Sequence, residues 1–412
     1  MNRKLYKRTV FDQIVKYLFT DDIIVLHGAR QVGKTHLLYY IHQHLQTKNR
    51  LTHYIDLEDS RYVQILDDGV DAFVQYLKEK NLDVALLKKQ EKIFVLIDEI
   101  QYLKNPSSLL KLVSDHYKGI KLIVSGSSSF AIKSKFQDSL VGRTVNFEIF
   151  PLSFIEFLGF KEHPIHLETL QAPDVTKKTE LELRALFKEF VLYGGYPKIV
   201  LTNNVEFKET YLQQIIDTYI KKDIKDLANI KEIEKFNKLV EVLASQSGQL
   251  VEVAELSNTC RLAKQTIEHY LFILEHTYVI KLVRPFHKNI RSELFKTPKI
   301  FFYDSGLMQM LWLKQLQKEI LGSVFETAVF SELVKKYGQD HVFHWRTTDK
   351  KEIDFIIATA NTLLPIEAKI NFSKFDKRHI AYFCDTYHIK NYIVTALLGD
   401  LETKYFYHPW SL

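Results

Sequence analysis

Eight residues, Gly28-Ala29-Arg30-Gln31-Val32-Gly33-Lys34-Thr35, constrain this chain more than any other stretch. They fill the pattern G-x-x-x-x-G-K-[ST] at every fixed position. Before them, Ile23-Ile24-Val25-Leu26 is an apolar, β-branched run that reads as a buried strand. After them, His36 to Ile41 reads as a helix. Strand, glycine loop and helix in that order curl backbone N–H groups round phosphates and add the positive end of a helix dipole. Gly28 through His36 are thus the expected nucleotide cradle. Lys34 would reach the β- and γ-phosphates, and the Thr35 hydroxyl would hold Mg²⁺. The alternative is a chance glycine turn before a helix.

A second run makes the first more specific. Ile93-Phe94-Val95-Leu96-Ile97-Asp98-Glu99 has the look of a fully buried parallel strand ending in two carboxylates. Asp98 is expected to hold the Mg²⁺, directly or through water, and Glu99 to polarise the attacking water as general base. No N-K-x-D base-reading motif occurs. The expectation is ATP hydrolysis rather than GTP binding.

Composition sets bounds. With 412 residues, 46% hydrophobic and 26% charged, the chain has the make-up of a multidomain globular protein. Cys260 and Cys384 match no metal spacing, which predicts free thiols and a cytoplasmic setting. No apolar run reaches membrane-spanning length. A net charge of +6 permits a nucleic-acid partner without requiring one.

Up to about residue 160, strand-like and helix-like segments alternate, which predicts a three-layer α/β sheet with parallel strands. Ser125 to Ser129 cap the last central strand, where Ser127 or Ser128 could sense the γ-phosphate or simply open a helix. Arg143 is a candidate for transition-state charge, on its own nucleotide or a neighbour's, or a plain loop arginine. From Glu180 to Ile230 the period is helical, broken at Tyr193-Gly194-Gly195-Tyr196-Pro197. Helices over 238–245, 251–257 and 262–275 and a strand over 279–283 suggest a winged helix. Lys264, Gln265 and His269 would face DNA, or a protein partner instead.

The C-terminal part carries a separate constellation. A helix opening at Gly322 presents Glu326. Strands over 341–345, 352–357 and 364–369 bring Asp354, Glu367 and Lys369 together, the last two on one face. Asp354, Glu367 and Glu326 would bind Mg²⁺ or Mn²⁺, and Lys369 would position or deprotonate water. The alternative is an ordinary sheet edge with a Glu–Lys ion pair.

Taken in order, these stretches resemble the prokaryotic AAA+ ATPases with a C-terminal domain of PD-(D/E)XK nuclease fold, the AAA_14 and DUF4143 pairing. The resemblance also rests on Gly142-Arg143 with Pro151-Leu152-Ser153-Phe154, and on Phe302 to Leu307. It implies Walker roles for Lys34, Thr35, Asp98 and Glu99, and a sensor at Ser127 or Ser128. Gly195-Tyr196-Pro197 is similar to a lid motif whose proline lies near adenine. Glu326, Asp354, Glu367 and Lys369 match nuclease-type positions. The expected P-D dipeptide is Ile353-Asp354 here. The implied fold is α/β: a P-loop AAA+ core over 1–160, a helical lid over 161–231, a winged helix over 232–298 and a restriction-endonuclease-like domain over 299–412. The expected activity is Mg²⁺-dependent ATP hydrolysis by a homo-oligomer acting on DNA, branched or foreign, with a metal-dependent nuclease-like domain. The rival expectation is a nucleotide-controlled switch for a protein partner, with a silent nuclease fold.

Overall fold

Five short strands build the first sheet: β1 (Ile23–His27), β2 (Leu51–Asp56), β3 (Ile93–Asp98), β4 (Ile120–Gly126) and β5 (Thr144–Glu148). Their order is β2-β3-β4-β1-β5, and every pairing is parallel. The computed structural model describes residues 4–88, 91–126, 140–165, 176–224, 230–287 and 297–412. β1, β3 and β4 are buried at every position, whereas the edge strands β2 and β5 are partly exposed. Unbroken apolar runs are what central parallel strands need, because helices cover both faces. The helices are α1 (Phe11–Val15), α2 (Lys34–Thr47), α3 (Ser60–Asp67), α4 (Val70–Glu79) and α5 (Pro106–His116). Leu66, Phe73, Leu77, Leu110 and Val113 of α3 to α5 pack with Val25, Val95, Ile97 and Val124 of the sheet.

Parallel strands put all their C-terminal ends on one edge, where ligands of such sheets bind. The strand order adds a detail. β4 lies between β1 and β3, so Ser125 near its end stands between the glycine loop and Asp98. At Gly28 the loop passes so close to the chain after β5 that a Cβ would sit 2.1 Å from the Ile149 carbonyl oxygen. Ile149 N–H donates to the His27 carbonyl at 2.7 Å. Only glycine allows that approach.

Residues 1–150 with His276–Tyr278 form one compact unit. The Tyr278 hydroxyl donates to Glu148 at 2.9 Å and pairs with His27 Nδ1 at 2.7 Å. Pro151–Glu275 with Val279–Leu412 form the second.

The second unit opens with helices α6 (Phe154–Phe160), α7 (Lys177–Tyr193), α8 (Pro197–Val200) and α9 (Val205–Ile215), the last continued by a π-helical stretch. Next come α10 (Ile233–Ser245), α11 (Val253–Cys260), α12 (Lys264–His276) and an antiparallel pair, β6 (Ile280–Val283) and β7 (Lys299–Phe302). Helices α13 (Ser305–Leu313) and α14 (Gly322–Tyr337) lead to β8 (Val342–Arg346), β9 (Glu352–Ala358) and β10 (Leu363–Asn371). Helix α15 (Lys377–Tyr387), β11 (Ile393–Leu398) and β12 (Phe406–Tyr407) finish the chain. The sheet order is β12-β11-β10-β9-β8, antiparallel across β8, β9 and β10 and parallel beyond. Phe330 of α14 stacks on Phe301 of β7, with centroids 4.7 Å apart, and on Phe355 of β9.

The break between α7 and α8 has a local cause. Gly194 has φ +79° and caps α7; a Cβ there would fall 2.2 Å from the Asp304 carboxylate. Asp304 is buried. It accepts from Gly195 N–H at 2.7 Å and from Leu307 N–H at 2.8 Å, so it caps α13 and holds the break at once. Two motifs more than a hundred residues apart are one junction. Asp304→Ala strands two buried N–H groups and should lower unfolding free energy by about 2–4 kcal/mol in chemical denaturation. A loss under about 1 kcal/mol would show that the junction is not held by this carboxylate.

Candidate functional site

The glycine loop ends on α2, whose N-cap is Gly33 at φ +98°, with no side chain capping the helix. A helix of fourteen residues therefore offers its first-turn amides and its positive dipole end at the edge of the sheet. Lys34 sits there at 5% exposure, and its ammonium donates to the Gly28 carbonyl at 3.1 Å and the Ala29 carbonyl at 2.7 Å. Burial pushes its pKa down to about 8, against the pull of Glu99 and Asp98. Ala29 and Val32 are buried, Arg30 and Thr35 half-buried, and Gln31 and His36 exposed, Gln31 at φ +62°.

Asp98 ends β3 on the same edge and is 2% exposed. The Tyr54 hydroxyl of β2 donates to its Oδ2 at 3.0 Å, and the Ser125 hydroxyl of β4 donates to Oδ1. Its two oxygens are thus oriented from both neighbouring strands. Glu99 follows at φ +55°, in the left-handed region, and is held by the Gln101 side chain. Burial raises the Glu99 pKa, while Lys34 acts to lower it. A carboxylate biased towards accepting a proton suits a general base. Tyr54 carries no motif signal, and Ser125 stands out in sequence only as the start of the serine run after β4; the strand order is what brings both to Asp98.

Other expected residues fall elsewhere. Arg143 lies beside the start of β5, and its carbonyl accepts from Ile23 N–H. That is the opposite end of the sheet from the loop, roughly five residues of strand or about 16 Å away. Its guanidinium instead makes two bonds to Asp115, at 2.8 and 3.2 Å. It does not reach the nucleotide edge of its own sheet. Ser127 and Ser128 lie outside the described residues. Pro197 is the first residue of α8, in the second unit.

The C-terminal residues do meet. Lys369 donates to Asp354 Oδ2 at 2.8 Å and Glu367 Oε2 at 2.7 Å, on adjacent strands β9 and β10. Glu326 of α14 faces a residue without motif signal, Lys299 of β7, which is 3% exposed. Lys299 lies 3.8 Å from Glu326 and also pairs with Glu352, which Arg346 approaches at 3.3 Å. Burial and Asp354 push Glu326 up to about 8, and the same two causes raise Glu367 well above the usual range. Burial acts the same way on Asp354, but Lys369 and Lys299 hold it below its ordinary value. Two lysines therefore occupy the space between the carboxylates. Among the described residues, no three His, Cys, Asp or Glu are arranged to share a metal ion. Glu326, Asp354 and Glu367 are each paired with Lys299 or Lys369, which stand where a cation would have to enter.

Residues 20–158 match the AAA domain family, and residues 321–410 match a domain of unknown function, DUF4143. The chain carries an AAA-type ATPase domain and a C-terminal DUF4143 domain. Between them, residues 184–319 match another domain of unknown function, DUF8612, and this span crosses the boundaries expected at 231 and 298. An uncharacterized protein of Haemophilus influenzae is 28% identical over 88% of this chain and 86% of its own length. One from Methanocaldococcus jannaschii is 25% identical, covering 89% and 79%. Among solved structures, a Walker-type ATPase of Pyrococcus abyssi aligns with a TM-score of 0.43 at 16% identity, over 74% of this chain and 95% of that one. Among the described residues, no helix is long and apolar enough to cross a membrane.

Two outcomes follow for the C-terminal cluster and the strand beside it. Lys299→Met removes the cation between Glu326 and Glu352 and should cost on the order of 3 kcal/mol in denaturant unfolding. Adding Glu326→Gln should restore part of the loss, and strict additivity of the two changes would disprove the coupling. His344 of β8 is 1% exposed, and burial, then Lys299, lowers its pKa to about 3. Unfolded, the ring would take a proton near pH 6.5 that the folded chain refuses. Stability should thus be whole above about pH 6.5 and decline towards pH 3, by on the order of 4 kcal/mol. His344→Phe should flatten this dependence by one proton; an unchanged slope would refute the assignment.

Proposed function

We propose that this chain is an ATP-hydrolysing protein that acts on DNA, with nucleotide turnover as the input. Lys34 carries the proposal. It is a buried ammonium, forms no ion pair among the described residues, and stands at the uncapped start of α2. A polyphosphate supplies the negative charge that such a position lacks.

Upon ATP binding, the loop amides donate to phosphate oxygens, and Lys34 exchanges two loop carbonyls for the β- and γ-phosphates. Glu99 takes the proton of the water that attacks the γ-phosphorus, and the bond to the β–γ bridging oxygen breaks, leaving ADP and phosphate. The donor set suits Mg²⁺: a hydroxyl, Thr35, and a carboxylate, Asp98, on one edge, the latter already oriented by Tyr54 and Ser125. Held there, the ion would neutralise phosphate charge.

For DNA, we read α10, α11, α12 and the β6–β7 pair as a winged helix. Arg261, Lys264, Gln265 and His269 are exposed at and along α12, where phosphate or base contacts would form. Copies would assemble, and Arg143, remote from its own nucleotide edge, could serve only a neighbour's. For the C-terminal domain we adopt the silent reading, favoured by Lys299 and Lys369 filling the carboxylate cluster.

Lys34→Ala should reduce ATP turnover at least about 100-fold; unchanged turnover would sink the nucleotide assignment. Linear, single-stranded and branched DNA should bind at low salt, more weakly with Lys264→Glu, and stay uncut in Mg²⁺ or Mn²⁺. Cleavage lost in Glu367→Gln would replace the silent reading with a nuclease. Absence of DNA binding would leave the protein-partner switch.

A further inference from the structure

Arg8 lies outside every motif above and upstream of the residues that match the AAA domain family. We propose that Arg8 is the positioning residue that sets the shape of the nucleotide loop. Its side chain is 5% exposed. Nη1 donates to the Val32 carbonyl at 2.7 Å, and Nη2 donates to the Phe150 carbonyl at 2.8 Å. Val32 stands inside the loop between Gln31 at φ +62° and Gly33 at φ +98°. Gly33 takes that conformation freely, but Gln31 has a Cβ and needs support to hold it.

Phe150 is the other half of the argument. It follows Ile149, whose carbonyl presses on Gly28 at the start of the loop. The Ile149-Phe150 segment therefore meets the loop twice, directly at Gly28 and through the guanidinium at Val32. In a planar trans peptide, C=O and N–H point in opposite directions. A Val32 carbonyl turned towards Arg8 turns the Gly33 N–H away from it, to the side left for phosphate. Arg8 thereby selects which face of the loop presents donors before nucleotide arrives. Its own place is fixed locally: the Arg8 carbonyl accepts from Phe11 N–H, and Phe11 and Ile14 of α1 are buried. A lysine would have to serve both carbonyls from a single nitrogen, whereas the planar guanidinium reaches Val32 and Phe150 from two separate ones.

The inference rests on ATP binding at the loop, which wild-type protein tests by itself. With the full chain, KM and kcat for ATP and the affinity for a fluorescent ATP analogue would be measured for wild type, Arg8→Met and Arg8→Lys. Folding would be checked by circular dichroism and thermal melting. Arg8→Met should raise KM about tenfold while kcat at saturation stays within about threefold, and Arg8→Lys should fall between. Guanidinium at a non-denaturing concentration should recover part of the affinity of Arg8→Ala. Unchanged KM in folded Arg8→Met overturns the proposal, as does a fall in kcat at constant KM. If Arg8→Met does not fold, Arg8→Lys decides, and a wild-type KM there overturns it. Wild-type protein that binds no ATP overturns the nucleotide reading beneath it.

Discussion

A buried ammonium with only carbonyl oxygens to hold it is the constraint around which the first unit is arranged. Lys34 is pushed down to about 8 by burial, a cost of roughly 3 kcal/mol relative to an exposed lysine. The positive end of α2 adds to that cost, since like charge is unfavourable at a helix N-terminus. A chain keeps such an arrangement where something negative offsets it. The parallel sheet brings Asp98 and Glu99 to the same edge, but Asp98 is held by Tyr54 and Ser125, and Glu99 by Gln101. No ion pair to Lys34 is present among the described residues. Both carboxylates pull on Lys34 from a distance, and a polyphosphate on the loop would supply negative charge in direct contact.

The C-terminal cluster shows the opposite logic with the same residue types. There, each lysine has found carboxylates: Lys369 between Asp354 and Glu367, Lys299 between Glu326 and Glu352. Burying such a network is costly, and removing one member strands the others. The two places differ in how their lysines are held: Lys34 meets only carbonyls, whereas Lys299 and Lys369 each meet two carboxylates.

What could be read in advance was local. The loop, β1, α2 and β3 are contiguous runs with a clear period, and they stand where expected. So do α14 and the three antiparallel strands with Asp354, Glu367 and Lys369. What could not be read depends on residues distant in sequence. Tyr54 and Ser125 reach Asp98 because β2 and β4 flank β3, and nothing local in a tyrosine or serine announces that. Lys299 looks like a charge at the mouth of an apolar strand until β7 is seen beside α14. For Arg143 the sequence left its own and a neighbour's nucleotide open, because a loop arginine before a strand has no end of the sheet marked on it. Parallel pairing with β1 placed it at the wrong end for its own nucleotide.

The Gly194-Gly195 break shows the same limit on a motif read by resemblance. Its resemblance to a lid element drew attention to Pro197 and adenine. The structure accounts for its glycines differently. Gly194 leaves room for the Asp304 carboxylate, Gly195 donates to it, and a Cβ on Gly306 would strike the Tyr193 carbonyl at 2.2 Å. Each of these glycines answers to close packing between the end of α7 and the start of α13, inside the span 184–319 that matches one family. A glycine pair demanded by a buried junction carries no information about adenine.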